Sequence, residues 1–176
     1  MLQACLQQTP PPAPARNFTT FDLLVDPSQL PPVWKSESGA EVSSCQAHHF
    51  DHCLRVSEIT YRAPGITIDQ VVGQFASAAA AAQTYADHFW TQDSIGTLSF
   101  HWVAMSGFNY KSPMANQFRV VCNTEMPGAA CVVEAQYEEY GSWLFYYGSN
   151  MHQATSDLEL VAKGVDARMA RYLGKP

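Results

Sequence analysis

Residues 118–135 read FRVVCNTEMPGAACVVEA, and the fold follows from how this stretch is paired. Side chains alternate across a strand, so Phe118, Val120 and Cys122 share one face, and Cys131, Val133 and Ala135 share one face of the strand that follows. Met126-Pro127-Gly128 supplies a turn between them. If paired residue numbers sum to 253, Cys122 meets Cys131, Val120 meets Val133 and Phe118 meets Ala135. One register satisfying three pairs predicts an antiparallel hairpin with a Cys122–Cys131 disulfide; two buried free thiols are the alternative.

Toward the C-terminus, Trp143 to Tyr147 alternates as a third strand. A three-residue loop Glu139-Tyr140-Gly141, with Gly141 at positive φ, would pair Tyr137 with Trp143 and Ala135 with Phe145. Ser156 and Glu159 have capping-box spacing. Leu158, Val161, Val165, Met169 and Tyr172 then line one side of a helix that runs to about Leu173. Arg168 and Arg171 lie in its last turns, where cations meet the negative end of the helix dipole.

Toward the N-terminus, Leu98 to Met105 alternates as a strand, and residues 53–62, CLRVSEITYR, form another that ends at Ala63-Pro64-Gly65. Thr67 and Gln70 stand at capping-box spacing, with Ile66 and Val71 as a hydrophobic staple. Ile68, Val71, Val72, Phe75, Ala79, Ala82, Ala86 and Phe89 recur at steps of three and four, which predicts one long amphipathic helix through about Trp90. Phe21 to Val25 is expected to make a short helical turn, and Leu30-Pro31-Pro32-Val33-Trp34 to place an indole on the core. The fold class expected is α+β, a mostly antiparallel sheet covered on one face by two amphipathic helices.

The 176 residues fit one domain. A net charge of −6 with no basic stripe repels phosphate backbones, so nucleic acid is not an expected partner. No run of residues is long and apolar enough to cross a bilayer as a helix. Setting Cys5 aside leaves two sequence-local pairs, and Cys45–Cys53 is expected to bond as well, as in an oxidising compartment outside the cytoplasm.

Reaction chemistry has few carriers. Cys45, His48, His49, Asp51, His52 and Cys53 offer the nitrogen, oxygen and sulfur donors that zinc or copper would take, but their spacing fits no established zinc finger. A Cys45–Cys53 disulfide would remove both thiolates, so no cofactor is expected; a metal on His48, His49, Asp51 and His52 is the alternative. Ser106 lacks the first glycine of a nucleophile elbow, and no phosphate-binding glycine loop is present. Glu134, Glu138 and Glu139 read as charges of a solvated hairpin edge. Between Met105 and Met114, the sequence MSGFNYKSPM carries Phe108 and Tyr110, which either fold back as a lid on the sheet or stand out as a partner-binding loop.

Leu2-Gln3-Ala4-Cys5 resembles a bacterial lipobox, and the prolines of Leu6 to Arg16 make an extended tether behind it. With the segment Asp22-Leu23-Leu24 followed by Leu30-Pro31-Pro32-x-Trp34, and the helices and hairpins after it, the chain resembles uncharacterised extracytoplasmic lipoproteins of green filamentous phototrophs and their relatives. Some of these have been compared with sensor domains of actinobacterial kinases. The resemblance implies that residues 1–4 are the remnant of a signal peptide, that Cys5 is acylated and bound to the bilayer, that 5–17 is the tether and that 18–176 is the domain. Together the anchor, the tether, the disulfides and the scarcity of reaction chemistry point to a lipid-anchored, non-catalytic binding domain on the outer face of a bacterial membrane, expected as an accessory subunit of a membrane protein complex; the resemblance implies photosynthetic or respiratory electron transfer as one setting. A small hydrolytic or metal-dependent enzyme and a ligand-sensing domain are the alternatives.

Overall fold

A computed structural model describes residues 14–37, 39–87, 101–123 and 125–174. Cys5 and residues 88–100 lie outside the described residues, and with them the expected end of the long helix and the first residues of the strand expected from Leu98.

Among the described residues eight strands form one antiparallel sheet: β1 (Lys35–Ser36), β2 (Glu41–Ser43), β3 (Cys53–Ala63), β4 (Ile66–Phe75), β5 (Trp102–Ala104), β6 (Gln117–Asn123), β7 (Ala129–Tyr137) and β8 (Tyr140–Gly148). The order across the sheet is β1-β3-β4-β8-β7-β6-β5, and β2 extends the outer edge of β3. Two α-helices are described, α1 (Ala78–Asp87) and α2 (Met151–Leu173). The α+β class therefore holds, with an antiparallel sheet at its centre.

The β6–β7 hairpin has the expected register, with Cys122, Val120 and Phe118 opposite Cys131, Val133 and Ala135. The next hairpin does not. Tyr137 pairs with Tyr140 and Glu134 with Trp143, so the loop is Glu138-Glu139, and Glu138 is the residue at positive φ, +54°. An odd shift of register moves Trp143 to the opposite face from Tyr137. Gly141 is needed for a different reason: the Trp143 indole folds back over it, so that a Cβ on residue 141 would lie 2.2 Å from the ring.

Ile66 to Phe75 is strand rather than helix. Pro64-Gly65 closes a two-residue hairpin, with Gly65 at φ +74°, and β4 then pairs with β3 and β8 along its length. As a central strand it is covered on both faces. Apolar residues fill it without strict alternation, and its spacings therefore coincide with those of a helix. Only α1 remains of the expected long helix.

The helices also lie on opposite faces, where one shared face was expected. The α2 face carries Tyr61, Ile68, Val72, Val133, Tyr137, Leu144 and Tyr146. Ala154, Leu158, Val161, Ala162, Val165 and Met169 of α2 pack against it, together with Leu23, Leu24 and Val25 of the N-terminal segment. Trp34 is buried there too, as expected. On the other face Phe50, Phe75 and Trp143 make a smaller aromatic core with Ala81 of α1. Phe50 and Trp143 stand 4.3 Å apart between centroids. Helix α2 is capped six residues before the expected capping box, at Asn150, whose side chain accepts from the His152 and Gln153 amides. Gly174 closes it in a left-handed conformation at φ +69°.

Gly141→Ala is expected to destabilise the protein by about 3 kcal/mol, the upper range for forcing atoms into a packed core. The indole has no free direction in which to move, since Phe50 and Phe75 flank it. Chemical denaturation followed by tryptophan emission checks this, with Ala at the open position Gly39 as the control.

Candidate functional site

The strands and α2 run between two ends of the domain, and the functional features divide between them. At the end formed by the β7–β8 turn and the C-terminus of α2, the N-terminal arm is fastened to the body. Arg16 Nε donates to Glu139 Oε1 at 2.8 Å, and its Nη2 donates to Glu138 Oε2 at 2.5 Å and to Glu139 Oε2 at 3.2 Å. Two residues on, the Phe18 ring lies 5.7 Å from Tyr140 and 5.2 Å from Tyr172. Folded structure thus reaches two residues into the segment read as tether.

At the opposite end, the loop after β5 and the first turns of α2 enclose a groove of about 430 Å³. Ser106, Gly107 and Asn109 form one wall, and Met151, His152 and Thr155 the other. Glu159 accepts from the Asn109 amide at 3.0 Å, which ties the walls together. Met151 is exposed at the groove; at the same end Met126 is exposed in the β6–β7 turn and Tyr147 near the end of β8, on the sheet face opposite α2. With 23 residues in α2, the helix spans about 35 Å between the two ends.

Loop 105–115 crosses between the ends as a lid on the sheet. Phe108 and Tyr110 are half-buried and ring-pack on Phe118, with centroids 6.2 and 6.1 Å away, while Met105 and Met114 are buried. Tyr110 donates a short hydrogen bond to Asp166 of α2, Ser112 Oγ donates to the same carboxylate at 2.7 Å, and Tyr137 OH donates at 2.6 Å. Asp166 is buried, and three hydroxyls take the place of water around it. Loss of that solvent, with the carboxylate alongside, pushes the Tyr110 and Tyr137 phenols above their usual range, so both stay protonated donors. Of the two readings of Phe108 and Tyr110, a lid on the sheet or a partner-binding loop, these contacts describe the lid.

On the other face a second buried carboxylate, Glu134, accepts a short bond from Arg119 and one at 3.2 Å from Trp143 Nε1. Arg119 also donates to the Tyr85 carbonyl at 3.0 Å and stacks over the Tyr85 ring, which fastens α1 to the sheet. In the sequence Glu134 reads only as an edge charge, and Asp166 is not singled out. Parity marks Glu134 once the hairpin register is known, because it shares a strand face with buried Val132.

Both disulfides are formed, Cys45–Cys53 and Cys122–Cys131, as in an extracytoplasmic, oxidising environment. The first closes the loop that seats Phe50 on Trp143. His48, His49, Asp51 and His52 do not converge. His48 Nε2 lies 3.1 Å from Ser43 Oγ and 3.2 Å from Glu58 Oε2, while His49, Asp51 and His52 are exposed. Among the described residues no three His, Cys, Asp or Glu side chains gather as a metal-holding group. Ser43, His48 and Glu58 are not arranged as a catalytic triad either, since a relay uses opposite ring nitrogens and here both partners meet Nε2. No helix among the described residues is long and apolar enough to cross a membrane.

These features define a disulfide-bonded α+β domain with a closed lid on one face and a groove at one end. The extracellular domain of PknH from Mycobacterium tuberculosis is similar in fold, with a TM-score of 0.53 and 14% identity over 83% of this chain and 92% of that one. An uncharacterised protein from Mycobacterium smegmatis aligns with a TM-score of 0.41 and 9% identity, over 79% and 92% of the two chains. No protein-family profile matches the sequence, and no curated protein matches it.

Asp166→Ala is expected to lower stability by on the order of 3 kcal/mol, because it leaves buried hydroxyls without their acceptor. Amide hydrogen exchange of residues 105–115 should accelerate more than that of β7. An unchanged exchange rate in the loop would show that the lid is held by ring packing alone.

Proposed function

We propose that this chain is an extracytoplasmic binding domain held at the outer membrane face through acylated Cys5, and that it serves as an accessory subunit docked on a membrane protein assembly. The carrying observation is the polarity of the domain. The N-terminal arm is fastened at one end, and the groove with exposed Met126, Tyr147 and Met151 is at the other. Exposed methionine and tyrosine give adaptable contact area of the kind enriched in interface cores. The two disulfides and the fold shared with an extracellular domain support the compartment. The lipobox-like Leu2-Gln3-Ala4-Cys5 and the proline tether support the anchor. A binding role without catalysis accords with the carboxylates being taken up in packing, as Asp166 and Glu134 are. An electron-transfer complex is one setting for such a subunit, supported by the resemblance alone.

A ligand-sensing role is the second reading, favoured by the groove and by the lid beside it. Co-purification separates the two. Met151→Ser with Tyr147→Ser is expected to leave the melting temperature within a degree or two and to abolish recovery of membrane subunits by the tagged protein. Unchanged recovery would remove the docking end as assigned. Intact mass of the membrane-extracted protein is expected to show a diacyl or triacyl modification on Cys5, and an unmodified Cys5 would remove the anchor.

A further inference from the structure

We propose that Arg16 is a clasp that ends the proline-rich tether segment and fixes the end of the domain from which it leaves. The β7–β8 turn is where this is read. A two-residue turn with positive φ at its first position is made at least cost by glycine, yet the chain places Glu138 there and Glu139 beside it. Main-chain bonds brace the turn: Glu138 N–H donates to Asn116 Oδ1 at 2.7 Å, Gln136 Nε2 donates to the Glu138 carbonyl at 2.6 Å, and Phe75 N–H donates to the Glu139 carbonyl at 2.8 Å. None of these uses a carboxylate. Both carboxylates instead accept from the one guanidinium of Arg16, which meets Glu139 through two nitrogens. The Glu139 side chain is 2% exposed and that of Arg16 18%. A carboxylate so deeply placed requires a charged, hydrogen-bonding partner, and a planar guanidinium fork is the geometry that serves it.

Behind the clasp, Phe18 sits against Tyr140 and Tyr172, and Thr19 donates from its amide to Asp22 at 2.8 Å. From Arg16 onward the arm therefore belongs to the body. This rests on the anchored reading only for its consequence: with Cys5 in the bilayer, ten residues, Leu6 to Ala15, remain as spacer, spanning about 30 Å if extended. The β7–β8 turn then faces the membrane, and the groove opens away from it. The partner surface that the groove addresses stands well clear of the headgroups.

Trypsin tests the clasp on the full chain, because it must take the Arg16 side chain into its own pocket to cut before Asn17. The wild type is expected to release residues 1–16 at least tenfold more slowly than a synthetic peptide of residues 10–22 is cut. Glu138→Gln with Glu139→Gln is expected to bring release close to the peptide's rate. A wild type cut as fast as the peptide, or a folded double variant cut no faster than the wild type, would overturn the clasp. Because the double variant is able to lose the fold instead, backbone 15N relaxation of the unaltered chain gives an independent reading. Its heteronuclear NOE is expected to rise to core values at Arg16, and a rise delayed to Thr20 or later would also overturn the proposal. An unmodified Cys5 would remove the anchor and leave the clasp standing, so the two readings fail separately.

Discussion

The centre of the sheet is covered on both faces, and most of the structure answers to that constraint. Strands β4 and β8 lie side by side in the middle, and neither face of them is left to solvent along most of its length. Each polar group there needs a partner within the protein, or the fold loses the desolvation energy of an unpaired group. Among the described residues Gln70 Nε2, Tyr140 OH and Ser142 Oγ are buried there without a hydrogen-bond partner, while the carbonyl end of the Gln70 amide shows the response. Its Oε1 accepts from the Val25 amide at 2.8 Å and from Tyr61 OH at 3.2 Å, which binds the N-terminal segment to the sheet. Asp166 and Glu134 do the same for the lid and for α1. The polar groups of this core act as fasteners between layers that apolar packing alone would leave free to slide.

The same two-sided burial explains what the sequence showed and what it hid. The β6–β7 hairpin was legible because its cysteines, its alternation and its turn agreed on one register. In β4 the period-2 signal was lost, since Val71, Val72 and Phe75 all find apolar surroundings, and a helix-like spacing took its place. The β8 register was misread through Gly141, whose small size serves the Trp143 ring rather than a turn. Glu138 in the left-handed region gave no warning, because a glutamate is not the residue expected there. Of the site, the local elements were readable: both disulfides, the lid loop and the buried Trp34. The clasp was not, since Arg16 and Glu139 are 123 residues apart and nothing local to either announces the other.

The lid and the groove illustrate how one loop is held in two chemistries. Its far half is pinned by hydroxyls on Asp166 and by the Tyr110 ring on Phe118, and its near half by the Met105 amide on the Val120 carbonyl, the Phe108 ring on Phe118 and the Asn109 amide on Glu159. Local opening free energy follows the number and burial of such contacts, so exposed Ser106, Gly107 and Asn109 at the groove are held less firmly than the segment closed over buried Asp166.

The cysteines have a consequence for how the chain is made. Each bond joins neighbours, with sequence separations of 8 and 9 residues, and the two loops neither overlap nor nest. A polypeptide delivered N-terminus first through an export channel brings out Cys45 and Cys53 together, long before Cys122 emerges. Short loops close fastest, so the pairing favoured kinetically during export is also the native pairing. With Cys5 withheld by the acylation proposed above, oxidation in order of appearance gives the native bonds directly, which lessens the need for a disulfide isomerase.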